Sequence, residues 1–304
     1  MSNYSFIFPG QGAQVPKMGL DFIEKYAEAR EVFEEAEEIL KMHLKKLVFE
    51  GTLEELTLTK NCQPAIFVTS MAILRVVLKE FPDIEPKMTG GLSLGEYSAL
   101  ALSKKTSFLD LVKLVQLRGE FMHEASLLHP GAMAVVMGLE EDKIREAGYY
   151  VANLNCPGQL VIAGTISEIE RSLEDLKNLG AKRVVKIPVS GAFHSPLMKD
   201  AEEKLRPFIE AMEFKESKIQ LAMNVVGCFV DDVAEIKKHL IAQVSSMTKW
   251  LDCVMAMEEK GASCYLEIGP SQLSGMNKKI GVKAPTIAVQ KIEDLESIYE
   301  ASRR

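Results

Sequence analysis

Residues 89–100 read Thr89-Gly90-Gly91-Leu92-Ser93-Leu94-Gly95-Glu96-Tyr97-Ser98-Ala99-Leu100. Ser93 stands between Gly91 and Gly95, after a short apolar segment and before a helix-forming run. This spacing is typical of a sharp turn that joins a strand to a helix. Such a turn exposes the serine hydroxyl at the mouth of a sheet, with the positive end of the helix dipole beside it, so that it can attack an acyl group. The same letters also occur in plain glycine-rich turns, and the stretch alone leaves both interpretations open.

The segments on either side of this turn alternate short apolar runs with helical patterns, which favours an α/β fold. In the first part of the chain we expect strands at 4–8 and 87–90 and helices at 21–46, 63–79 and 108–125. From residue 195 onward the alternation resumes, with further strands expected at 221–225, 264–268 and 286–289. Together these segments predict a large α/β-hydrolase-like domain with a short parallel sheet.

The pattern is different between residues 132 and 189. Here we expect strands at 132–137, 149–154, 159–163 and 183–189, and helices at 140–147 and 167–179. The order β-α-β-β-α-β is that of the ferredoxin-like unit, which can form a small sheet of its own. The predicted organisation is therefore a large domain made of residues 1–127 and 191–304, with a ferredoxin-like subdomain inserted at residues 128–190.

Composition restricts the class of protein. The 304 residues are 47% hydrophobic and 26% charged, which is ordinary for a globular protein, and the net charge of −7 argues against a general nucleic-acid binder. Five scattered cysteines without a Cys-x-x-Cys pair favour reduced thiols over disulfides or a zinc site. We find neither a signal peptide nor an apolar run of 18 residues, and therefore expect a soluble, cytoplasmic protein with no membrane contact.

A serine nucleophile needs a base within hydrogen-bond reach, and His194 is the best-placed histidine of the five. A strand is expected to end shortly before it, and a helix to begin after it with Ser195 as cap and Pro196 in the first turn. The dipole of that helix would disfavour the imidazolium form. The alternative is a loop histidine bonded to its own turn.

Arg118 falls on the apolar stripe of a predicted helix, on the same face as Val115 and Met122. A buried guanidinium needs a carboxylate, which would be either a protein acid such as Glu96 or the carboxylate of a substrate. The loop 9–14, Pro-Gly-Gln-Gly-Ala-Gln, lacks the last glycine of the dinucleotide fingerprint. It is either a tight turn or a source of backbone N–H groups for an oxyanion hole. We assign no metal or nucleotide site.

Taken together, these motifs resemble the malonyl-CoA:acyl carrier protein transacylases of type II fatty acid synthesis. The matching segments run in order along nearly the whole chain: Gly10-Gln11-Gly12-Ala13-Gln14, Gln63-Pro64-Ala65, the stretch around Ser93, Arg118-Gly119 with Met122, Asn155-x-Pro157-Gly158-Gln159, Ala192-Phe193-His194-Ser195 and Glu267-Ile268-Gly269-Pro270. The resemblance implies transfer of malonyl from coenzyme A to Ser93 and then to the phosphopantetheine thiol of acyl carrier protein. Coenzyme A thioester would enter as a substrate, and no cofactor is implied.

The resemblance also implies a role for individual residues. Ser93 would be the nucleophile and His194 its base, with the histidine oriented by a main-chain carbonyl near Lys249-Trp250. The backbone N–H groups of Gln11 and Leu94 would form the oxyanion hole. The substrate-binding residues would be Arg118, which would clamp the free malonyl carboxylate, together with Met122 and Phe193.

The chain departs from the family pattern at Leu92, where a histidine is usual, and in a shorter helix around 140–147. A carrier that is normally acidic would need a local basic patch, which Lys278, Lys279 and Lys283 or Lys182, Arg183 and Lys186 could provide. Each cluster is also typical of an ordinary solvated surface. Two other functions remain open from the residues alone. One is a serine hydrolase or thioesterase that uses Ser93 and His194, and the other is a non-catalytic docking module for the carrier.

Overall fold

The computed structural model describes residues 3–302, which form two β-sheets with helices packed around them. The larger sheet has six strands in the order β11-β10-β1-β2-β7-β8. Five of the strands are parallel to their neighbours, and β8 pairs antiparallel with β7 at the edge. The strands of this sheet are β1 Tyr4–Phe8, β2 Pro86–Gly91, β7 Gln220–Met223, β8 Cys228–Phe229, β10 Cys264–Ile268 and β11 Thr286–Val289. All residues of the central strand β1 are buried, as expected for a parallel sheet covered on both faces.

The smaller sheet has five strands in the order β6-β3-β5-β4-β9. Its strands are β3 Gly131–Met137, β4 Tyr150–Cys156, β5 Gln159–Thr165, β6 Arg183–Lys186 and β9 Thr248–Lys249. Strands β3 to β6 pair antiparallel, whereas β9 is parallel to β4. Because β9 comes from far along the chain, the smaller sheet is not confined to the residues 128–190 that we expected to form it alone.

Fourteen α-helices are described within residues 3–302. They are α1 Leu20–Lys25, α2 Ala27–Leu40, α3 Leu44–Glu50, α4 Leu53–Thr57, α5 Thr59–Glu80, α6 Gly95–Leu102, α7 Phe108–Leu128, α8 Glu141–Glu146, α9 Ile166–Asn178, α10 Lys199–Ala211, α11 Val233–Ala242, α12 Trp250–Glu259, α13 Ser274–Ile280 and α14 Leu295–Ser302. Short 3₁₀ helices cover Pro196–Met198, Gln243–Ser245 and Ile292–Asp294. The α/β class predicted from the sequence is confirmed.

Two predicted elements have different bounds in the structure. The single helix expected at 21–46 is three helices, because Tyr26 is extended and Lys41 is left-handed at φ 52°. No glycine or proline stands at either break. The strand expected at 183–189 ends at Lys186, since Pro188 has no N–H with which to continue the ladder.

Helix α5 is long and apolar enough to cross a membrane by length and composition. The expectation that the chain contains no such run is therefore wrong. Of the most apolar 18-residue window in α5, 83% is buried inside the protein. The helix packs against α7 and α2, as the core helix of a globular protein does.

Candidate active site

Ser93 lies on the sharp bend between β2 and α6, at the carboxyl edge of the larger sheet. Its φ of 55° is in the left-handed region, which costs a residue with a side chain of order 1–3 kcal/mol. The flanking glycines make this bend possible. A Cβ on Gly91 would stand 2.0 Å from the carbonyl carbon of Gly95, and one on Gly95 would stand 2.1 Å from the carbonyl oxygen of Phe8. The two glycines that marked the stretch in the sequence are therefore required by the close approach of backbone to backbone.

His194 comes from a different part of the chain and meets Ser93 directly. The two side chains are hydrogen-bonded, with 2.7 Å between Oγ of Ser93 and Nε2 of His194. The other ring nitrogen, Nδ1, lies 2.8 Å from the main-chain oxygen of Gln243 and donates to it. Nε2 is then left to accept the proton of the serine hydroxyl. The turn behind His194 is built as predicted, because the hydroxyl of Ser195 caps the following 3₁₀ helix by accepting from the N–H of Leu197.

The carbonyl that orients His194 was expected near Lys249-Trp250, and this expectation is wrong. Lys249 belongs to β9 and pairs with Leu154 in the smaller sheet. The short 3₁₀ helix Gln243–Ser245 brings the carbonyl of Gln243 to the histidine instead.

The imidazole of His194 is kept neutral chiefly by its burial. Burial and the nearby charge of Arg118 lower the pKa of His194 to about 4, against the smaller raising effect of the bond to Gln243. The helix expected after Ser195 is present, because the 3₁₀ helix Pro196–Met198 continues directly into α10, and the contribution of its dipole stays a prediction.

Arg118 projects from α7 into the same site and is 1% exposed. Its Nη1 donates to Oε1 of Gln63 at 2.7 Å, and its Nη2 donates to Oε1 of Gln243 at 3.0 Å and to Oγ of Ser93 at 3.1 Å. The guanidinium also lies 5.2 Å from the ring centroid of Tyr97. All of these partners are neutral, and Nε has no partner within residues 3–302.

Glu96, one of the two carboxylate sources considered for Arg118, forms no ion pair with it in the described part of the chain. Glu96 is fully buried, and its Oε2 accepts from the backbone N–H of Asn224 at 2.6 Å. Burial raises the pKa of the Glu96 carboxyl to about 8, so this group is mostly protonated at pH 7. Arg118 is thus a buried cation without a protein counter-charge, which is costly unless a ligand supplies one.

A cavity of about 310 Å³ opens onto Ser93 and His194 between the two sheets. Met122 and Phe193 line its inner part, and both are almost fully buried. The wall formed by the smaller sheet is mixed, with apolar side chains beside three amides: Met133, Val135, Val161, Asn153, Asn155 and Gln159. Within residues 3–302, no group of three or more His, Cys, Asp or Glu side chains is arranged to hold a metal ion.

The loop after β1 brings backbone N–H groups to this cavity. The N–H of Gly10 is used by Oε1 of Gln272, and that of Gly12 by Oε1 of Gln14. The N–H of Gln11, between them, has no acceptor among the described residues, and neither does the N–H of Leu94 next to Ser93. Free N–H groups beside a nucleophile are what an oxyanion hole requires.

Three residues of the site have contacts that the sequence reasoning did not identify. Gln63 was identified in the sequence only as part of a motif. Because a buried amide needs a hydrogen-bond partner, its place on a strongly apolar helix already indicated a contact such as the one with Arg118. Gln243 contacts three groups at once, because its side chain also donates to the main-chain oxygen of Ser93 at 2.9 Å. Asn224 accepts from the N–H of Ser93 at 2.6 Å, and its position inside an expected strand concealed it.

Comparison with known proteins gives a consistent result. Residues 5–293 match the model of the acyl transferase domain family. The malonyl CoA-acyl carrier protein transacylase of Bacillus subtilis is 43% identical over 97% of this chain and 96% of its own length. The protein of that name from Staphylococcus aureus is 35% identical over 99% of both chains.

Solved structures agree with these relatives. A malonyl-transacylase in complex with its type II PKS acyl-carrier protein superposes with a TM-score of 0.93 at 35% identity, covering 99% of this chain and 100% of that chain. The malonyl CoA-acyl carrier protein transacylase of Clostridium perfringens superposes with a TM-score of 0.92 at 34% identity, covering 99% of this chain and 98% of its own.

Proposed function

This chain belongs to the malonyl-CoA–acyl carrier protein transacylases of the acyl transferase family, and we propose on that basis that it moves malonyl from coenzyme A to acyl carrier protein through an ester on Ser93. One observation carries the proposal. The hydroxyl of Ser93 is shared between a neutral imidazole at 2.7 Å and a buried, carboxylate-free guanidinium at 3.1 Å. The first group accepts a proton, and the second suits an acyl group that ends in a carboxylate.

In the first half-reaction, Nε2 of His194 takes the proton of Ser93 while Oγ attacks the thioester carbonyl carbon. The negative charge that forms on the carbonyl oxygen is stabilised by the N–H groups of Gln11 and Leu94. The carbon–sulfur bond then breaks, and the proton on His194 passes to the sulfur of coenzyme A. The donor bond from Nδ1 to Gln243 keeps the imidazole in the tautomer that this step needs.

The second half-reaction reverses these roles. The phosphopantetheine thiol of the carrier gives its proton to His194 and attacks the malonyl ester. The bond between the acyl carbon and Oγ breaks, and the proton returns to Ser93. Base, nucleophile and oxyanion donors all come from this chain, and we propose that no cofactor takes part.

Arg118 gives the site its preference for a dicarboxylic acyl group. Malonyl on Ser93 would place its free carboxylate within reach of a guanidinium that has only neutral partners, whereas acetyl would leave that guanidinium unpaired. Met122 and Phe193 line the cavity, where they would pack against the acyl chain. Gln63 links this wall to the clamp, because its Nε2 donates to Sδ of Met122 at 3.3 Å.

The carrier docks, in this proposal, on the basic rim, which we define as Lys278, Lys279 and Lys283, and the cluster of Lys182, Arg183 and Lys186 is the alternative docking surface. All six side chains are exposed. Nζ of Lys279 donates to Oε1 of Gln159 at 2.8 Å, which places α13 at the wall of the cavity. A cationic rim of this kind attracts an acidic partner to a protein whose net charge is −7.

The finer fold and the cellular compartment are also part of this proposal. The antiparallel order β6-β3-β5-β4 supports a ferredoxin-like unit inserted into an α/β-hydrolase-like domain. The cysteines, four of them buried and all five free, suit a reducing cytoplasm, where we place the enzyme.

Product analysis with malonyl-CoA and holo acyl carrier protein tests the function. The expected product is malonyl-carrier, and Ser93→Ala should abolish its formation while carrier binding is retained. Release of free malonate in place of malonyl-carrier would support a thioesterase. Wild-type binding of the carrier with no transfer at all would support a docking module.

A further inference from the structure

Asn224 is fully buried beneath the bend that carries Ser93, and each of its four polar atoms is hydrogen-bonded. Its Oδ1 accepts from the N–H of Ser93 at 2.6 Å, and its Nδ2 donates to the main-chain oxygen of Gly91 at 2.7 Å. Its own N–H donates to Glu96 at 2.6 Å, and its main-chain oxygen accepts from the N–H of Lys249 at 2.8 Å. One side chain thus holds the bend on both sides of Leu92.

The topology of the larger sheet explains how a residue so far along the chain reaches this point. Strands β2 and β7 are parallel neighbours, with Met88 opposite Gln220 and Thr89 opposite Leu221. Their carboxyl ends therefore lie at the same edge of the sheet. The bend begins where β2 ends, and Asn224 is the first residue after β7.

Glu96 completes the arrangement from the opposite side. It lies in the first turn of α6, so its carboxyl oxygen connects the helix that follows Ser93 to the backbone of Asn224. Gly91, Ser93 and Glu96 are therefore all hydrogen-bonded to Asn224, the residue that follows β7.

We propose that Asn224 is a positioning residue for the acyl transfer, and that its amide, anchored by Glu96, fixes the left-handed backbone of Ser93 so that Oγ faces His194. This inference rests on the proposed role of Ser93 as nucleophile. The bend leaves the N–H of Ser93 and the carbonyl of Gly91 outside any ladder or helix, and buried groups of this kind need partners. Without the amide, the strained conformation of Ser93 loses the contacts that hold it.

Single-turnover acylation of Ser93 by malonyl-CoA tests this role. We expect Asn224→Ala to lower the acylation rate constant about 100-fold, because a small misplacement of a nucleophile has an effect of that size. The concentration of malonyl-CoA that gives half of the maximal rate should not change, since Asn224 does not line the cavity. A merely structural role of Asn224 would not lower the acylation rate constant while leaving the half-saturating concentration of malonyl-CoA unchanged.

Three further variants keep the test decisive if the alanine protein does not fold. Asn224→Asp preserves the size of the side chain but places an acceptor against the carbonyl of Gly91, and it should slow acylation in the same way. Glu96→Gln keeps a neutral acceptor for Asn224 and should retain most of the rate, whereas Glu96→Leu should not.

Asn277→Ala is the matched control, because it removes another fully buried amide, bonded to Thr286 on a different element. It should leave the acylation rate unchanged. Wild-type acylation in folded Asn224→Ala or Asn224→Asp would overturn the inference, and so would a change in half-saturation alone or an equal loss of rate in the control. Absence of malonyl from Ser93 in the wild-type protein would instead overturn the proposed function.

Discussion

The Nη2 atom of Arg118 lies 3.1 Å from the Oγ atom of Ser93, which joins a fully buried guanidinium to a partly buried hydroxyl on the wall of the cavity. A guanidinium held by two glutamine amides is positioned but not neutralised. The site itself therefore supplies no negative charge to balance the guanidinium, and the terminal carboxylate of malonyl would supply it. This relationship explains why a nucleophile and a cation share one pocket.

Arg118→Ala should weaken the use of malonyl-CoA about 100-fold more than the use of acetyl-CoA, a difference equivalent to about 3 kcal/mol. The reason is that only malonyl loses a charge-assisted hydrogen bond. Comparison of kcat/KM for the two thioesters in the wild-type and variant proteins measures this difference. Equal losses for both substrates would rule out Arg118 as the carboxylate clamp.

The pH profile should show that the base stays active well into acid. Because the pKa of His194 is lowered to about 4, the neutral imidazole that accepts the proton of Ser93 persists below the ordinary histidine range. We expect kcat/KM for acetyl-CoA to fall only as the pH approaches about 4. Acetyl-CoA is used because its acyl group, unlike malonyl, carries no free carboxylate to titrate. An acid limb near the unperturbed value of about 6.5 would contradict this assignment.

The pH profile of kcat/KM should also respond to the positive charge of Arg118. Arg118 is the second cause of the low pKa of His194, so Arg118→Ala should move the acid limb toward higher pH. A limb that stays in place would mean that burial alone sets the pKa of the imidazole.

Leu92→His restores the side chain usual in the family, and we expect it to keep transfer activity. Leu92 packs with Ile7 and Trp250 and is 6% exposed, so a histidine there would bury polar atoms in an apolar cluster. We expect a loss of about 1–3 kcal/mol in the free energy of unfolding. Chemical denaturation and a transfer assay measure the two effects separately. Loss of activity in a well-folded variant would show that Leu92 is needed for the local shape of the pocket.

Charge reversal on the basic rim should weaken carrier use selectively. The double variant Lys278→Glu, Lys279→Glu should raise the KM for acyl carrier protein and reduce its salt dependence, while transfer to free pantetheine stays unchanged. The matched control is Lys237→Glu, Lys238→Glu on α11, which does not line the active-site cavity. An equal rise in KM for both double variants would place the docking surface elsewhere.

The sequence predicted the parts of the fold that depend on local pattern. The bend at Ser93 followed from Gly91 and Gly95, and the alternation of elements predicted the α/β class, which is confirmed. The break at Tyr26 could not be foreseen, because no glycine or proline marks it in the sequence. The pairing of β9 with β4 was equally hidden, since a two-residue strand carries no periodicity.

For the site, local pattern identified Ser93, His194 and Arg118, and the structure places these three side chains together; their catalytic roles stay predictions. What the sequence could not identify is the set of residues that holds them. Gln243 and Asn224 are far from Ser93 along the chain. Gln243 follows α11 and Asn224 follows β7, and only the folded topology brings these two residues beside Ser93. Of the two carboxylate sources left open for Arg118, the structure excludes Glu96, because the fold places its carboxyl against the backbone of Asn224.

The central claim is an acyl-enzyme on Ser93, and trapping it is the most direct measurement. Wild-type protein is mixed with radiolabelled malonyl-CoA, denatured in acid and digested, and the labelled peptide is identified by mass spectrometry. The account predicts label on Ser93 that survives denaturation and that is transferred to a pantetheine thiol when the thiol is added before the quench. Label on another residue, or wild-type transfer by Ser93→Ala, would contradict it.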